Sequence, residues 1–343
     1  MMLGVAEQAA EQLQSIFTAI EAGRFEEATE LIPLHKECLN TSRISDGMTL
    51  LTYSASKGYV DVCQIILKQG VDVNQRAKGM ERQDTSPPTE EATAMIMACY
   101  GGHVDVINLL VSVSGIQVNQ PKKNGATPLY IACYKGHLDI VNVLLQSNKI
   151  QINQPTKKGS TPLFIACQNG HLDIVKSLIH EINKKTIWYS NTTLQQMNQP
   201  CWNNTTPMQI ACQENHFDIV KYSIEQGLPS CGIANDSNEM ELSWFQKLNN
   251  TNKNELLTLA NHNRDEYNSS YYSFLMILIK VDALNKKAER QNDEDAASIV
   301  SKIPIGYFCS HHPKHPIRLI GDYLCGPKSA RLLWYHIILA SMK

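Results

Sequence analysis

The amino-acid sequence predicts an all-α protein, mostly a solenoid of helix–turn–helix units, and three observations carry that prediction. The string NGATPLYIACYKGHLDIVNVLL at 124–145 returns 34 residues later as KGSTPLFIACQNGHLDIVKSLI at 158–179. Each copy holds two short apolar runs broken at Gly-His, and neither run buries its apolar face alone, so successive copies must stack. Beyond Gly227 the period stops, and helical patterning resumes after Ser243, which places a helical C-terminal domain behind the array.

Taken in order, residues 1–44 read as a cap. Within LQSIFTAIEAGRFEEATELI at 13–32, two short helices divide at Gly23, with Ile16, Phe17, Ile20, Phe25, Ala28 and Leu31 expected to face inward. A solenoid needs such a unit because its terminal repeat otherwise exposes apolar surface to water. The full units occupy 45–228. In the clearest one, the Thr127 hydroxyl is placed to cap the first free N–H groups and Pro128 fits the first helical turn. Leu129, Ile131, Ala132 and Cys133 form the apolar run of a first helix, which Gly136-His137 ends. Leu138, Ile140, Val141, Val143, Leu144 and Leu145 then form the stripe of a second helix. Matching strings start at Thr49, Thr93, Thr161 and Thr206. Spacings between Gly58, Gly102, Gly136, Gly170 and Asn215 are 44, 34, 34 and 45 residues, so two junctions carry insertions of about ten residues.

The string T-P-L-x-x-A-x-x-x-G-H-x-x-I-V-x-x-L-L resembles the ankyrin repeat, recurring five times in register, with Leu50 where Pro is usual. The resemblance implies an ankyrin-repeat solenoid that binds a partner protein through its concave face, where turn tips and first-helix ends remain exposed. In this chain those positions are Lys123, Asn124, Tyr134 and Lys135 in one repeat and Lys157, Lys158, Gln168 and Asn169 in the next. Tyr100 and Trp202 extend the same face, and Trp188 and Tyr189 lie on the second insertion. The expectation is one site centred on the third to fifth full repeats, since aromatic anchors among long polar side chains are typical of interface centres. The resemblance further implies that Asn74, Asn119 and Asn153 hold turns between repeats, and that Asn74, within Asp-Val-Asn, is a target for asparaginyl hydroxylation. An ankyrin array followed by an unfamiliar C-terminal domain is also similar to effectors that intracellular bacteria deliver into host cells.

The first insertion, 76–92, is polar and contains Pro87-Pro88, which reads as an exposed loop serving either as a tolerated insertion or as a partner contact. The second, from His180 to Trp202, carries Ile187, Trp188, Tyr189, Leu194 and Met197 around Asn191-Thr192-Thr193, the pattern of a two-stranded hairpin. Its aromatics serve packing, recognition or both.

With 43% apolar and 19% charged residues and a net charge of −2, the composition is that of a globular protein and makes no electrostatic case for nucleic acid. No signal peptide is read at the N-terminus, and the longest apolar run, 271–279, is too short to span a bilayer. An intracellular, cytoplasmic protein is therefore expected, and its Asn-x-Ser/Thr sequons carry no weight. Of ten cysteines, Cys99, Cys133, Cys167 and Cys212 occupy one repeat position and Cys63 replaces an aliphatic residue, which reads as buried, reduced core thiols.

After a linker at 229–242, the C-terminal domain at 243–343 shows helical stretches and no recognised family. It holds the only constellation with the elements of a site. Cys309, His312, His315 and Cys325 could supply zinc with four ligands, although the spacing matches no standard set. Cys309 or Cys325 with His311 is a thiol–base alternative. No nucleotide fingerprint or paired-carboxylate motif is present, and no cofactor or small-molecule substrate is read. The reading that results is a non-enzymatic protein-interaction scaffold. Its rival is an enzyme whose repeats recruit substrate for a Cys/His centre.

Overall fold

Local signals fix where each helix begins and ends. Thr49, Thr93, Thr127 and Thr206 adopt extended backbone, and each hydroxyl accepts the N–H three residues on, at 3.1, 3.4, 3.2 and 3.2 Å. Thr161 does the same for Phe164 at 3.1 Å. Such a cap satisfies one of the donors that a helix start leaves open. Leu50 in place of Pro changes nothing here, since Thr49 still caps and the helix starts on schedule. At Thr206 the cap is reciprocal, because the Gln209 side chain accepts the Thr206 N–H. Glycine in the left-handed region then closes the first helices at Gly58, Gly102 and Gly136.

A computed structural model describes residues 2–43, 45–78, 91–185, 199–201 and 205–226, with 251, 252 and 255 beyond them. Among them are twelve α-helices and no β-strand. They are α1 (Met2–Glu21), α2 (Phe25–Leu34), α3 (Leu50–Lys57), α4 (Val60–Lys68), α5 (Ala94–Gly101) and α6 (Val104–Ser112). There follow α7 (Pro128–Lys135), α8 (Leu138–Leu145), α9 (Pro162–Gln168), α10 (Leu172–Lys185), α11 (Pro207–Gln213) and α12 (Phe217–Glu225).

The chain divides into two compact units, Met1–Ala166 with Asp173–Ile182, and Cys167–Leu172 with Asn183–Lys343. In the first unit the helices stand in two layers: α3 packs on α5 and α5 on α7, while α2 packs on α4, α4 on α6 and α6 on α8. Pairs α3–α4, α5–α6 and α7–α8 join the layers. Between them lies the core, where Leu50, Ile96, Leu129, Ile107, Ile140, Val141 and Leu144 are buried. In the second unit α11 packs on α12, and Lys221 of α12 pairs with Glu255.

Two helices flank Gly23, with corrections: α1 is a long helix from Met2 rather than a short one from Leu13. Ile16, Phe17, Ile20 and Ala28 are buried, but Phe25 is 39% exposed and Leu31 only half-buried; Ile32 takes the inward place. The phase of α2 is set by Ala28 and Ile32, four residues apart on one face. Phe25, at the first helical position, meets Tyr59 edge-on at 4.9 Å. Arg43 ties the cap to the first repeat by pairing with Glu21 and Asp46, its guanidinium 4.3 Å from the Phe17 ring centre and 5.0 Å from that of Tyr53. Burial alone would lower its pKa, but the hydrogen bonds to Asp46 and Glu21 outweigh this and raise it.

The ends of the first insertion are fastened rather than loose. Ala77 N–H donates to Ala92 O at 2.9 Å, both alanines are buried, and Arg76 pairs with Glu91 at 2.9 Å. The second insertion starts later than expected: α10 runs on through His180 to Lys185, because Ile182 continues the stripe of Leu178 and Ile179. The hairpin expected around 187–197, the loop at 79–90, the linker, the helices expected after Gly227 other than Thr251, Asn252 and Glu255, and the Cys309, His311, His312, His315 and Cys325 constellation lie outside the described residues.

Candidate functional site

The turn tips are built by short-range hydrogen bonds. Around Asn124, Lys122 N–H donates to Ala126 O at 3.0 Å, Gly125 N–H to Lys122 O at 2.8 Å, and Ala126 N–H to Asn124 Oδ1 at 3.0 Å. The following tip repeats this, with Thr156 N–H to Ser160 O at 3.0 Å and Gly159 N–H to Thr156 O at 2.8 Å. Neighbouring tips then join: Lys157 N–H donates to Asn124 O at 3.0 Å, and Lys78 N–H to Gly47 O at 2.8 Å. Gly125 sits at φ +87°, and a Cβ there would lie 2.7 Å from the Lys157 backbone nitrogen, so the approach requires glycine. Tyr130 on α7 connects helix to tip, its hydroxyl 3.4 Å from Ser160 Oγ.

First-helix ends supply the aromatic part. Tyr100 at the end of α5 and Tyr134 at the end of α7 flank Lys135, whose ammonium lies 3.9 Å from the Tyr100 ring centre and 5.4 Å from that of Tyr134. Tyr134 is 45% exposed, one of three exposed large apolar side chains among the described residues. Lys123, Asn124, Lys157 and Lys158 are exposed, and Tyr100 and Lys135 are half-buried. Gln168 and Asn169 are half-buried in the second unit, where Gln168 O accepts from His216 Nε2 at 3.0 Å. Trp188, Tyr189 and Trp202 are outside the described residues.

The Gly-His step behind the face locks repeats together. The His137 ring occupies the space where a Cβ on Gly102 would come within 2.8 Å, and His103 Nε2 donates to Ser56 O at 3.0 Å across the preceding repeat. The His103 ring thus uses a carbonyl near the end of the preceding first helix, as His216 does with Gln168 O.

Asn74 and Asn119 act between repeats, as expected, through side-chain bonds to the backbone of the next turn. Asn74 Nδ2 donates to Gly115 O at 2.9 Å while Asn74 Oδ1 accepts Gln117 N–H at 2.8 Å. Asn119 repeats the clamp on Lys149 O at 2.7 Å and Gln151 N–H at 2.9 Å. Asn153 holds the same position, and its Oδ1 is buried with no hydrogen-bond partner among the described residues.

Comparison with known families agrees with this lattice. A sequence model described as ankyrin repeats (3 copies) matches residues 78–156 and 149–229, and one described as ankyrin repeat matches 46–78. The chain belongs to the ankyrin-repeat family. No curated protein matches it.

As an ankyrin-repeat chain it buries the cysteines that lie among its described residues. Cys63, Cys99, Cys133, Cys167 and Cys212 are buried, as are Cys38 and Cys201. Desolvation pushes the Cys63 thiol up to about 12 and raises those of Cys99 and Cys167 as well, so none is poised as a nucleophile. No group of three or more metal-binding side chains occurs among the described residues, and none of their helices is long and apolar enough to cross a membrane. Sequence reasoning missed Lys57, Lys78 and Lys122 on the ankyrin face. Lys57 was legible by register, since it holds the place of Lys135 two repeats earlier, and its ammonium lies 5.8 Å from the Tyr53 ring centre.

Proposed function

We propose that this ankyrin-repeat protein is a binding scaffold that grips a partner protein through its turn tips and first-helix ends, with Tyr100, Tyr134 and Lys135 at the centre. The observation that carries this reading is the Tyr100–Lys135–Tyr134 cluster, which exposes aromatic area beside a cation held in place by the rings. Rigid aromatic side chains of this kind give large contact area at low entropic cost, as interface anchors do. Lys123, Asn124, Lys157 and Lys158 on the tips complete the candidate surface in the first unit. Gln168, Asn169, Trp188, Tyr189 and Trp202 remain candidates on register and composition. The resemblance to effectors of intracellular bacteria extends the proposal to a place of action, the cytosol or nucleus of a host cell. Hydroxylation of Asn74 belongs to the same proposal and is read out by mass spectrometry.

The test is capture of partner proteins by the full chain and by a Tyr100→Ala, Tyr134→Ala, Lys135→Ala variant, with circular dichroism as the fold control. The reading expects captured protein to fall by about tenfold or more with helicity unchanged. Undiminished capture by a folded variant would overturn it.

A further inference from the structure

Charge is sorted across the first unit in a way that the overall balance of −2 conceals. Residues 120–137 and 154–166, which comprise two tips and the first helices that follow them, contain Lys122, Lys123, Lys135, Lys157 and Lys158 and no carboxylate. Lys57 and Lys78 occupy equivalent helix-end and tip positions. The carboxylates sit elsewhere: Asp61, Asp105, Asp139 and Asp173 all lie in the first turn of second helices, where the helix dipole favours them. Asp46 and Glu91, the acidic residues nearest the other tips, are paired with Arg43 and Arg76. The ion pairs formed among the described residues include none of Lys57, Lys78, Lys135, Lys157 or Lys158.

We infer that the protein segment bound by this face is acidic, an extended chain carrying Asp or Glu side chains that meet the tip lysines and Lys135. This rests on the protein-binding reading above and specifies its chemistry. Lysines of one sign around an aromatic floor attract an oppositely charged segment, speed its encounter and reject basic competitors. Packed helices stand about 8–10 Å apart, and an extended chain of polyproline-II form rises about 3.1 Å per residue with about three residues per turn, so acidic side chains at roughly every third position face successive repeats. Phosphate recognition is the weaker fit. The cations available are lysines rather than forked guanidiniums; Arg43 and Arg76 are already paired, and the Tyr100 ring, which a nucleobase would need for stacking, faces Lys135.

The test uses the full-length chain and a phage-displayed library of random dodecapeptides. Selected peptides are then measured by fluorescence anisotropy, at low and raised salt, against wild type and two variants: Lys122, Lys123, Lys157 and Lys158 changed together to Glu, and the same four changed to Gln. A uridine dodecamer RNA is the competing probe. The inference expects Asp and Glu enriched about threefold over the input library, affinity falling with salt, and about tenfold weaker binding to both variants. The Gln variant keeps this informative if charge reversal disturbs folding. Neutral or basic winners would overturn the inference. If those winners lose affinity for the Tyr100→Ala, Tyr134→Ala variant, the protein-binding reading survives without the acidic specificity. An absence of enriched peptides overturns the acidic specificity, leaving partner capture to decide the broader reading. Tighter binding of the RNA than of the selected peptides overturns the inference in favour of a nucleic-acid surface.

Discussion

Replacing Gly125 with Ala probes the junction between neighbouring tips, and its cost can be worked from two terms. Gly125 sits at φ +87°, and an L side chain in the left-handed region costs about 1–2 kcal/mol. The added Cβ would also stand 2.7 Å from Lys157 N and 3.1 Å from Thr156 Cα and C, all backbone atoms that cannot rotate away. The tips must separate, which breaks the 3.0 Å bond from Lys157 N–H to Asn124 O, a net loss of about 0.5–1.5 kcal/mol. The sum is about 1.5–3.5 kcal/mol. Gly70 is the control, since it has φ +76° and nothing within 4 Å of an added Cβ, so Gly70→Ala carries the first term alone. Urea unfolding followed by circular dichroism gives both values, and hydrogen exchange at the Lys157 amide reads the junction directly, because repeats respond at their shared interfaces. Equal destabilisation by the two substitutions, with unchanged exchange at Lys157, would refute the claim that the tips are coupled.

Leu144 is fully buried between the layers, so Leu144→Ala should cost about 2–5 kcal/mol in a thermal or urea melt. Asn119→Ala removes both arms of one clamp and should lower stability by about 1–2 kcal/mol while speeding exchange of the Gln151 amide. Burial raises the Cys63 thiol from its ordinary 9.0 to about 12. The folded chain keeps that proton where the unfolded chain releases it, so this contribution is complete below 9.0 and is lost as pH rises toward about 12. Urea midpoints at about pH 8 and about pH 10 should fall less steeply in Cys63→Ala than in wild type.

The helix boundaries were legible because they rest on local chemistry: the Thr caps, the Gly-His breaks and the 34-residue register each act within a few residues. What escaped involves partners far apart in the chain. The resemblance placed Asn119 between repeats, but its partners there, Lys149 and Gln151 about thirty residues on, were not read from the sequence. Arg43 gathers Glu21, Asp46, Phe17 and Tyr53 from separate elements, a network that apolar periodicity does not register. Lys135 over Tyr100 follows from the stacking of α5 and α7, and the repeat alignment placed both residues on one face without showing that they touch. In the cap, the short α2 offers two phases for its apolar residues, and the structure takes Ala28 with Ile32 over Leu31.

The central claim, that a partner protein sits on the first-helix ends, is tested most directly by a photo-crosslinking amino acid placed in turn at two exposed positions of one repeat. Tyr134 ends α7 on the proposed surface, and Asn142 lies on α8 in the other layer. The account predicts protein adducts from position 134 that are absent from position 142, at equal expression and helicity. Adducts from 142 with none from 134 would contradict it.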